Sequence, residues 1–177
     1  ETISKIRGGQ IDVLTSMDNQ WSPQINLGVS VLIPEAYVAD LDVRLGLYRR
    51  LSNLSKKVEF EGFAAELIDR FGKLPPEVNT LLLVVRIKSV CKKAGIGKLD
   101  GGPKGATVQF HNDKFISPEG LVEFIKKQNG LAKIKDNKLI IKRDWKKNSD
   151  KFKGAFSIAR DLAEIAASYQ KNSLAKN

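Results

Sequence analysis

The sequence is poor in the residues from which catalytic and metal sites are most often built. It has one cysteine, Cys91, one histidine, His111, and one methionine, Met17, among 177 residues. A single cysteine excludes an internal disulfide, and one histidine with one cysteine excludes a zinc site built from nitrogen and sulfur ligands. No run of about 18 consecutive apolar residues is present, so no membrane-spanning helix is predicted.

Motifs for catalysis are also missing. The glycine-rich segment Gly95–Lys98 lacks the GxxxxGK[ST] spacing of a phosphate loop and follows a predicted helix, where a phosphate loop would follow a strand. We interpret it as the end of a helix leading into a turn. Neither Cys91, inside an apolar helix, nor His111, in an alternating strand, belongs to a motif for nucleophilic catalysis. The chain is therefore predicted not to be an enzyme and to use no metal or cofactor.

The first residues predict that the chain is a piece of a larger protein. It begins at Glu1, and Met17 lies inside a polar stretch, so no initiator methionine is present. The segment Glu1–Arg7 has the composition of the last turns of a helix. We expect residues 1–24 to be a helix remnant and linker, residues 25–169 a folded domain, and residues 170–177 a disordered tail. A processed N-terminus or a removed tag remains the alternative.

Hydrophobic periodicity in the first half predicts one strand and three helices. Apolar residues alternate from Ile25 to Ile33, which is typical of a half-buried strand. Helical spacing predicts helices from Asp40 to about Asn53, from about Glu61 to Phe71, and from Pro76 to Ala94. The third helix is apolar almost all round and is therefore expected in the centre of a core.

The second half is predicted to be a smaller mixed region. In chain order it contains a turn at Asp100–Pro103, a strand at Thr107–His111, a helix from Ser117 to about Gln128, a hairpin at Lys133–Arg143, and a helix at Lys151–Tyr169. The fold class is therefore α+β. It has a helical first half with a leading strand, then a smaller mixed β-hairpin/helix second half closed by a C-terminal helix.

The net charge of +10 is confined to the second half. Residues 1–90 carry eleven Lys and Arg and eleven Asp and Glu, whereas residues 91–177 carry nineteen against nine. Only Arg143 and Arg160 are arginines among those nineteen, and the aromatic residues fall at core positions. Lysine without arginine or interleaved aromatics favours non-specific contact over base reading. A solvated surface, an accessory nucleic-acid-binding domain and an acidic protein partner therefore remain open.

The second predicted helix carries the sharper hypothesis. Glu66, Asp69 and Arg70 are spaced by three and four residues, so they share a face, predicted to lie opposite the apolar stripe of the helix. One interpretation is a solvated face with an internal Glu66–Arg70 pair that contributes about 0.3–0.5 kcal/mol. The other is a docking face that meets complementary charges on another domain.

Two segments resemble the C-terminal domain of bacterial transcription-repair coupling factors (Mfd), and the overall similarity extends from about Ile25 to Leu162. The first comprises Ile33–Val38, Asp42–Leu45 and Tyr48–Leu51, and the second comprises Glu66–Gly72 continuing through Leu74-Pro75 to Leu81-Leu82. The second segment is the more specific. Beyond it, the likeness is one of layout more than of motif.

The resemblance implies a non-catalytic regulatory domain, residues 25–169, preceded by the junction with a motor domain. The parent protein of this family is an ATP-driven translocase on double-stranded DNA that removes stalled RNA polymerase and recruits UvrA in the cytoplasm. Its C-terminal domain folds back on the UvrB-like N-terminal module and masks the UvrA-binding surface. The resemblance makes Glu66, Asp69 and Arg70 the contact residues. We expect the isolated domain to be a monomer.

Overall fold

In the computed structural model, which describes residues 21–175, three helices follow one another after residue 40. They are α1 at Leu41–Ser52, α2 at Lys57–Phe71 and α3 at Pro76–Ala94, as the periodicity predicts. Helix α1 begins where predicted because the Asp40 side chain accepts a hydrogen bond from the Val43 amide at 3.0 Å. Helix α2 begins earlier than predicted because the Glu59 carboxylate accepts from the Lys56 amide at 2.9 Å, as in a capping box.

The remaining elements form a five-stranded sheet with two further helices. They are β1 at Gln24–Asn26, β2 at Ile96–Gly102, β3 at Gly105–Phe110, a short 3-10 helix at His111–Asp113, α4 at Pro118–Lys127, β4 at Ala132–Lys135, β5 at Lys138–Lys142 and α5 at Asn148–Ala175. The strand order is β1-β2-β3-β5-β4. Strand β1 runs parallel to β2 and the other pairs are antiparallel. The predicted α+β class is confirmed.

The chain divides into two units, which we describe separately. Among the described residues, the first comprises residues 21–22 and Val29–Ser89, and the second comprises Pro23–Gly28 and residues 90–175. The last boundary between the two units therefore falls inside α3, between Ser89 and Val90. Within the described residues, the first unit holds α1 and α2, and the second holds the sheet with α4 and α5.

The leading strand is shorter than predicted. Only Gln24–Asn26 pairs, in parallel with residues 98–100 of β2, so this strand belongs to the sheet of the second unit. Gly28 then takes a φ of +68°, in the left-handed region, and its amide donates to the Asn26 side chain. Burial still alternates as far as Ile33. The period-two pattern thus records an extended, half-buried chain, and hydrogen bonding decides which part of it is a strand.

The predicted turn at Asp100–Pro103 is largely strand. Residues 96–102 pair with β3 except at Gly97, where the register shifts. A Cβ atom on Gly101 would lie 2.7 Å from Cδ2 of the buried Leu27, so a larger residue there would force that side chain to move. The predicted hairpin turn is confirmed: Asp136 and Asn137 join β4 to β5 with φ angles of 54° and 62°. Two successive residues with positive φ are typical of a type I′ turn.

The last helix is longer than predicted at both ends. Because no glycine or proline follows Gly154, nothing in the sequence stops α5 before Ala175. Residues 170–175, predicted to be disordered, are therefore helical. The helix remnant and most of the linker predicted at residues 1–24 lie outside the described residues, and the predicted division into domains stays a prediction. No helix between residues 21 and 175 is long and apolar enough to cross a membrane.

Each unit has its own set of fully buried apolar side chains. In the first unit the largest are Val38, Leu51, Leu67, Val78, Leu81, Val84 and Ile87, and in the second they are Ile96, Leu99, Leu139, Ile141 and Leu162. Four of the first set lie on α3, which agrees with its predicted central position in a core.

Candidate docking face

The three residues predicted as contacts lie near the C-terminal end of α2, in the first unit. Phe63 and Leu67 on the same helix are buried, as the apolar stripe predicts. Asp69 is exposed on the side away from them, whereas the Glu66 side chain is only 36% exposed. The candidate docking face, formed by Glu66, Asp69 and Arg70, therefore lies on a single helix whose inner side is packed in the core.

Glu66 is held by an arginine of the neighbouring helix. The Arg50 guanidinium donates from both terminal nitrogens to the two carboxylate oxygens of Glu66, at 2.5 and 2.8 Å. Its central carbon also lies 5.1 Å from the centre of the Phe63 ring. A two-point contact of this kind fixes both side chains more firmly than a single ion pair does.

Arg70 completes the network from the other side. Its guanidinium donates to the Glu66 carboxylate at 3.1 Å, which confirms the predicted pair four residues apart. It also lies 4.9 Å from the centre of the Phe71 ring. The prediction that Glu66 and Arg70 lie opposite the apolar stripe is wrong: Arg70 lies against Phe71 of that stripe and pairs with Glu66, so both residues lie at its border, where helical spacing places them.

The network changes the titration of Glu66. Hydrogen bonds from Arg50 first, and then from Arg70, lower the pKa of this carboxyl from 4.5 to about 2. The hydrogen bond that Arg50 donates to Glu66 also raises the pKa of Arg50. Glu66 is therefore ionised throughout the neutral range and cannot exchange protons as an acid or base. The three side chains together carry one net positive charge.

Asp69 stands outside this network. Its carboxylate makes no hydrogen bond or ion pair with any residue in the described part of the chain. The preceding residue, Ile68, is 50% exposed although it is apolar. Val58, on the same outer side of α2, is exposed as well. The outer side of α2 thus combines an unpaired carboxylate with exposed apolar surface.

The end of α2 is tied down by Tyr37. Its hydroxyl lies 3.0 Å from the carbonyl oxygen of Leu67 and 2.7 Å from that of Gly72, and can donate to either. The ring packs at 5.7 Å against Phe71. Arg44 holds the segment before α1 by donating to the carbonyl oxygens of Val38 and Ala39, at 2.7 and 3.1 Å. Tyr37 thus supplies a donor to the Gly72 carbonyl just beyond the last turn of α2, and Arg44 supplies donors to two carbonyls outside regular structure.

Sequence reasoning missed the supporting roles of Tyr37 and Arg50. Both residues lie in the first segment that carries the family resemblance, which was the only signal that pointed to them. Their partners on α2 are distant in the sequence, so helical spacing could not reveal the contacts. The first segment therefore supports the second by holding its helix in place.

The remaining candidates for chemistry are structural. Cys91 is fully buried, and burial raises the pKa of its thiol to about 12, so it stays protonated and unreactive. Gly95 ends α3 with a φ of +74° and leads directly into β2, where a phosphate loop would need the reverse order. Between residues 21 and 175, no three His, Cys, Asp or Glu side chains lie close enough to hold a metal ion.

Comparison with known proteins places these features in one family. The family model of the TRCF domain matches residues 27–121, which is more than half of the chain. The chain is 48% identical over 119 residues to the transcription-repair-coupling factor of Rickettsia conorii (strain ATCC VR-613 / Malish 7), covering 67% of this chain and 10% of that protein. It is 31% identical over 126 residues to that of Escherichia coli (strain K12), covering 71% and 11%.

A solved structure has the same fold. The crystal structure of the C-terminal domain of a transcription-repair coupling factor matches with a TM-score of 0.69 and 21% sequence identity, covering 86% of this chain and 98% of that one. The chain spans about a tenth of the length of the two transcription-repair-coupling factors above.

Proposed function

Because the chain belongs to the TRCF domain family of transcription-repair-coupling factors, we propose that it is a non-catalytic, autoinhibitory docking domain. It docks through α2 on the UvrB-like N-terminal module of the same protein and masks the surface that binds UvrA. The parent protein is an ATP-dependent translocase on double-stranded DNA that displaces stalled RNA polymerase. Docking keeps this protein from recruiting UvrA until polymerase or DNA releases the clamp.

The observation that carries the proposal is the exposed carboxylate of Asp69 beside the exposed side chain of Ile68. An apolar side chain surrounded by unpaired charge is the arrangement from which small interfaces are built, since burial supplies affinity and charge supplies partner choice. We therefore assign Asp69 as the principal contact and expect a basic group on the partner module.

Glu66 and Arg70 have a different role in the same face. Because Glu66 already pairs with Arg50 and Arg70, it holds the helix in a defined position. Arg70 keeps 43% of its side chain exposed and can therefore still meet an acidic group on the partner. Their contact with the module is expected to contribute less than that of Asp69. The face is organised before docking, which lowers the entropy lost on binding.

A weak interface is sufficient for such a clamp. Two tethered domains meet at an effective concentration on the order of millimolar, so a contact of modest affinity stays closed. The same contact opens when another ligand supplies a few kcal/mol of differential binding. A small face of mixed charge fits this requirement better than a large apolar interface, which would not release.

The test is the affinity of this chain for the separately expressed N-terminal module, measured by titration calorimetry for wild type and Asp69→Arg. We expect binding in the micromolar to millimolar range and at least a tenfold loss in the variant, because the substitution sets like charges against each other. Ile68→Ser should also weaken binding, by a smaller factor.

Glu123→Arg on α4 is the matched control, since it makes the same charge change at an exposed site in the second unit. It should bind like wild type. If neither wild type nor control binds near millimolar concentration, the docking proposal is wrong. If Asp69→Arg binds like wild type, docking is retained but its assignment to this face is wrong.

The charge asymmetry favours a second candidate function, an accessory nucleic-acid-binding domain that uses the lysine-rich second half. It is independent of docking, because the residues concerned lie in the other unit.

A further inference from the structure

The sheet of the second unit has two unlike faces. Residues directly opposite each other on neighbouring strands share a face, so the register shows on which face each side chain lies. Leu99, Val108 and Leu139 are in register on one face, and all three are fully buried. On the same face, the Leu27 and Trp145 side chains lie against Gly101. This inner face is therefore covered by the chain itself.

The outer face gathers lysines that are scattered in the sequence. One row across four strands is Lys98, Gln109, Lys138 and Lys135, and the next is Asp100, Thr107, Ile140 and Lys133. Lys142 lies opposite Gly105 in a third row. The outer lysine face is thus formed by Lys98, Lys133, Lys135, Lys138 and Lys142, with Asp100 as the acidic residue among these positions.

Most of this charge is unpaired within the part of the chain that the structure describes. Lys98 lies 3.8 Å from Asp100, but the other four lysines make no ion pair with any residue between 21 and 175. Lys135 and Lys138 are directly opposite each other across the hairpin, where like charges repel. An arrangement that costs stability in the free protein becomes favourable when a polyanion lies against it.

Protection of a sheet edge explains only part of the face. Lysines on an edge strand discourage pairing with other chains, and β4 is such a strand. However, Lys138 and Lys142 lie on β5 and Lys98 lies on β2, and both strands are paired on two sides. Edge protection does not require charge there.

Most lysines of the face are open to solvent. Lys133, Lys135, Lys138 and Lys142 are exposed, and a Cβ atom added to Gly102, at the end of β2, would meet nothing within 4 Å. Four strands span about 14 Å across, and the four residue steps from Lys138 to Lys142 span about 13 Å along the strand. These dimensions are close to the width of the major groove of DNA, about 12 Å, which separates two phosphate backbones.

We propose that the outer lysine face binds the phosphate backbone of duplex DNA without reading its sequence. The face has no aromatic side chain on which unpaired bases could stack, which argues against single strands as the ligand. It has no arginine to read guanine, and Ile140 is its one large apolar residue, which argues against a protein partner. This site lies in a different unit from α2 and goes beyond the docking function.

The test is the binding of this chain to a fluorescein-labelled 30-base-pair duplex, followed by anisotropy between 25 and 200 mM NaCl. Neutralising five phosphates predicts a slope of about −4.5 in log K against log salt. Changing Lys135, Lys138 and Lys142 together to Gln should weaken binding at least tenfold at 50 mM salt. It should also make the slope shallower by about three, since each phosphate contact contributes about one.

The matched control changes Lys73, Lys126 and Lys171 to Gln, three exposed lysines away from this face, with the same change in net charge. It should bind within threefold of wild type. Replacing Lys135, Lys138 and Lys142 by Arg keeps the charge and should preserve binding. Circular dichroism of each variant should match wild type, since all six positions are exposed.

Three results would overturn the proposal: no binding to the duplex at 25 mM salt, an equal loss in the control, or tighter binding to a 30-nucleotide single strand. The outcome is separable from docking. Asp69→Arg should bind duplex DNA like wild type, and the triple Gln variant should bind the N-terminal module like wild type.

Discussion

The two units each leave one surface uncovered, but they treat its charges in opposite ways. On α2, Glu66 is paired with Arg50 and Arg70, and one carboxylate, Asp69, is left over. On the outer lysine face, one lysine is paired and four are not. The first surface is defined by contacts, and the second by accumulated charge of one sign.

This difference separates two kinds of recognition. A paired network fixes the position of side chains but produces little field beyond itself, so it suits a partner with a matching shape. Unpaired lysines produce a field that extends about a Debye length, so they suit a partner of uniform charge and tolerate variation in its position.

The largest expected effect on stability comes from replacing a glycine by alanine in one helix of each unit. A Cβ atom on Gly154 of α5 would lie 2.3 Å from the ring of the buried Trp145, whereas one on Gly62 of α2 would meet nothing within 4 Å. Gly154→Ala should lower the free energy of unfolding by about 2 kcal/mol through overpacking. Gly62→Ala should raise it by about 0.5–1 kcal/mol through helix propensity.

Urea unfolding followed by circular dichroism measures both variants. A loss of stability in Gly62→Ala would show that the outer side of α2 is covered and would contradict its description as an uncovered surface.

A smaller effect is expected from the pairing of Glu66. Its pKa is lowered from 4.5 to about 2 in the folded state, so the stabilisation is present above pH 4.5 and is lost as the pH falls toward 2. Because the pair is partly exposed, we expect it to contribute no more than about 1 kcal/mol. Glu66→Gln should therefore remove about this much of the decline in stability between pH 5 and pH 2.

Thermal unfolding across this pH range checks the prediction. Glu61→Gln on the same helix, where the carboxylate lies 3.8 Å from Lys57, is the control and should keep the decline of the wild type. Identical profiles for Glu66→Gln and wild type would mean that the network contributes nothing measurable in solution.

The smallest effect should come from the opposed lysines of the hairpin. Lys135→Glu turns a repulsive pair with Lys138 into an attractive one and should raise stability by about 0.2–1 kcal/mol. The gain should shrink at high salt because the pair is exposed. Chemical unfolding at 20 mM and 500 mM NaCl measures both. A gain that does not depend on salt would mean that repulsion is not its cause.

Local patterns predicted much of the fold. Caps and breakers such as Asp40, Gly72 and Ser117 act within a few residues, so the helix ends that they mark were found. Strand β2 was missed because glycine is typical of turns. Gly101 is instead a strand residue, and the Leu27 side chain packs against it. The extent of β1 was wrong for a related reason, since pairing with β2 depends on residues far away in the sequence.

Periodicity and residue counts were sufficient to predict the α+β class, the three-helix first half, the excess of positive charge after residue 90, and the spacing that brings Glu66 within reach of Arg70. All of these depend on neighbours along the chain or on composition. The hydrogen bonds from Arg50 to Glu66 on another helix, and from Tyr37 to the end of α2, depend on tertiary packing and could not be predicted. The sheet also brings lysines from three strands onto one face, because register between strands is set by packing of the opposite face and not by the lysines themselves.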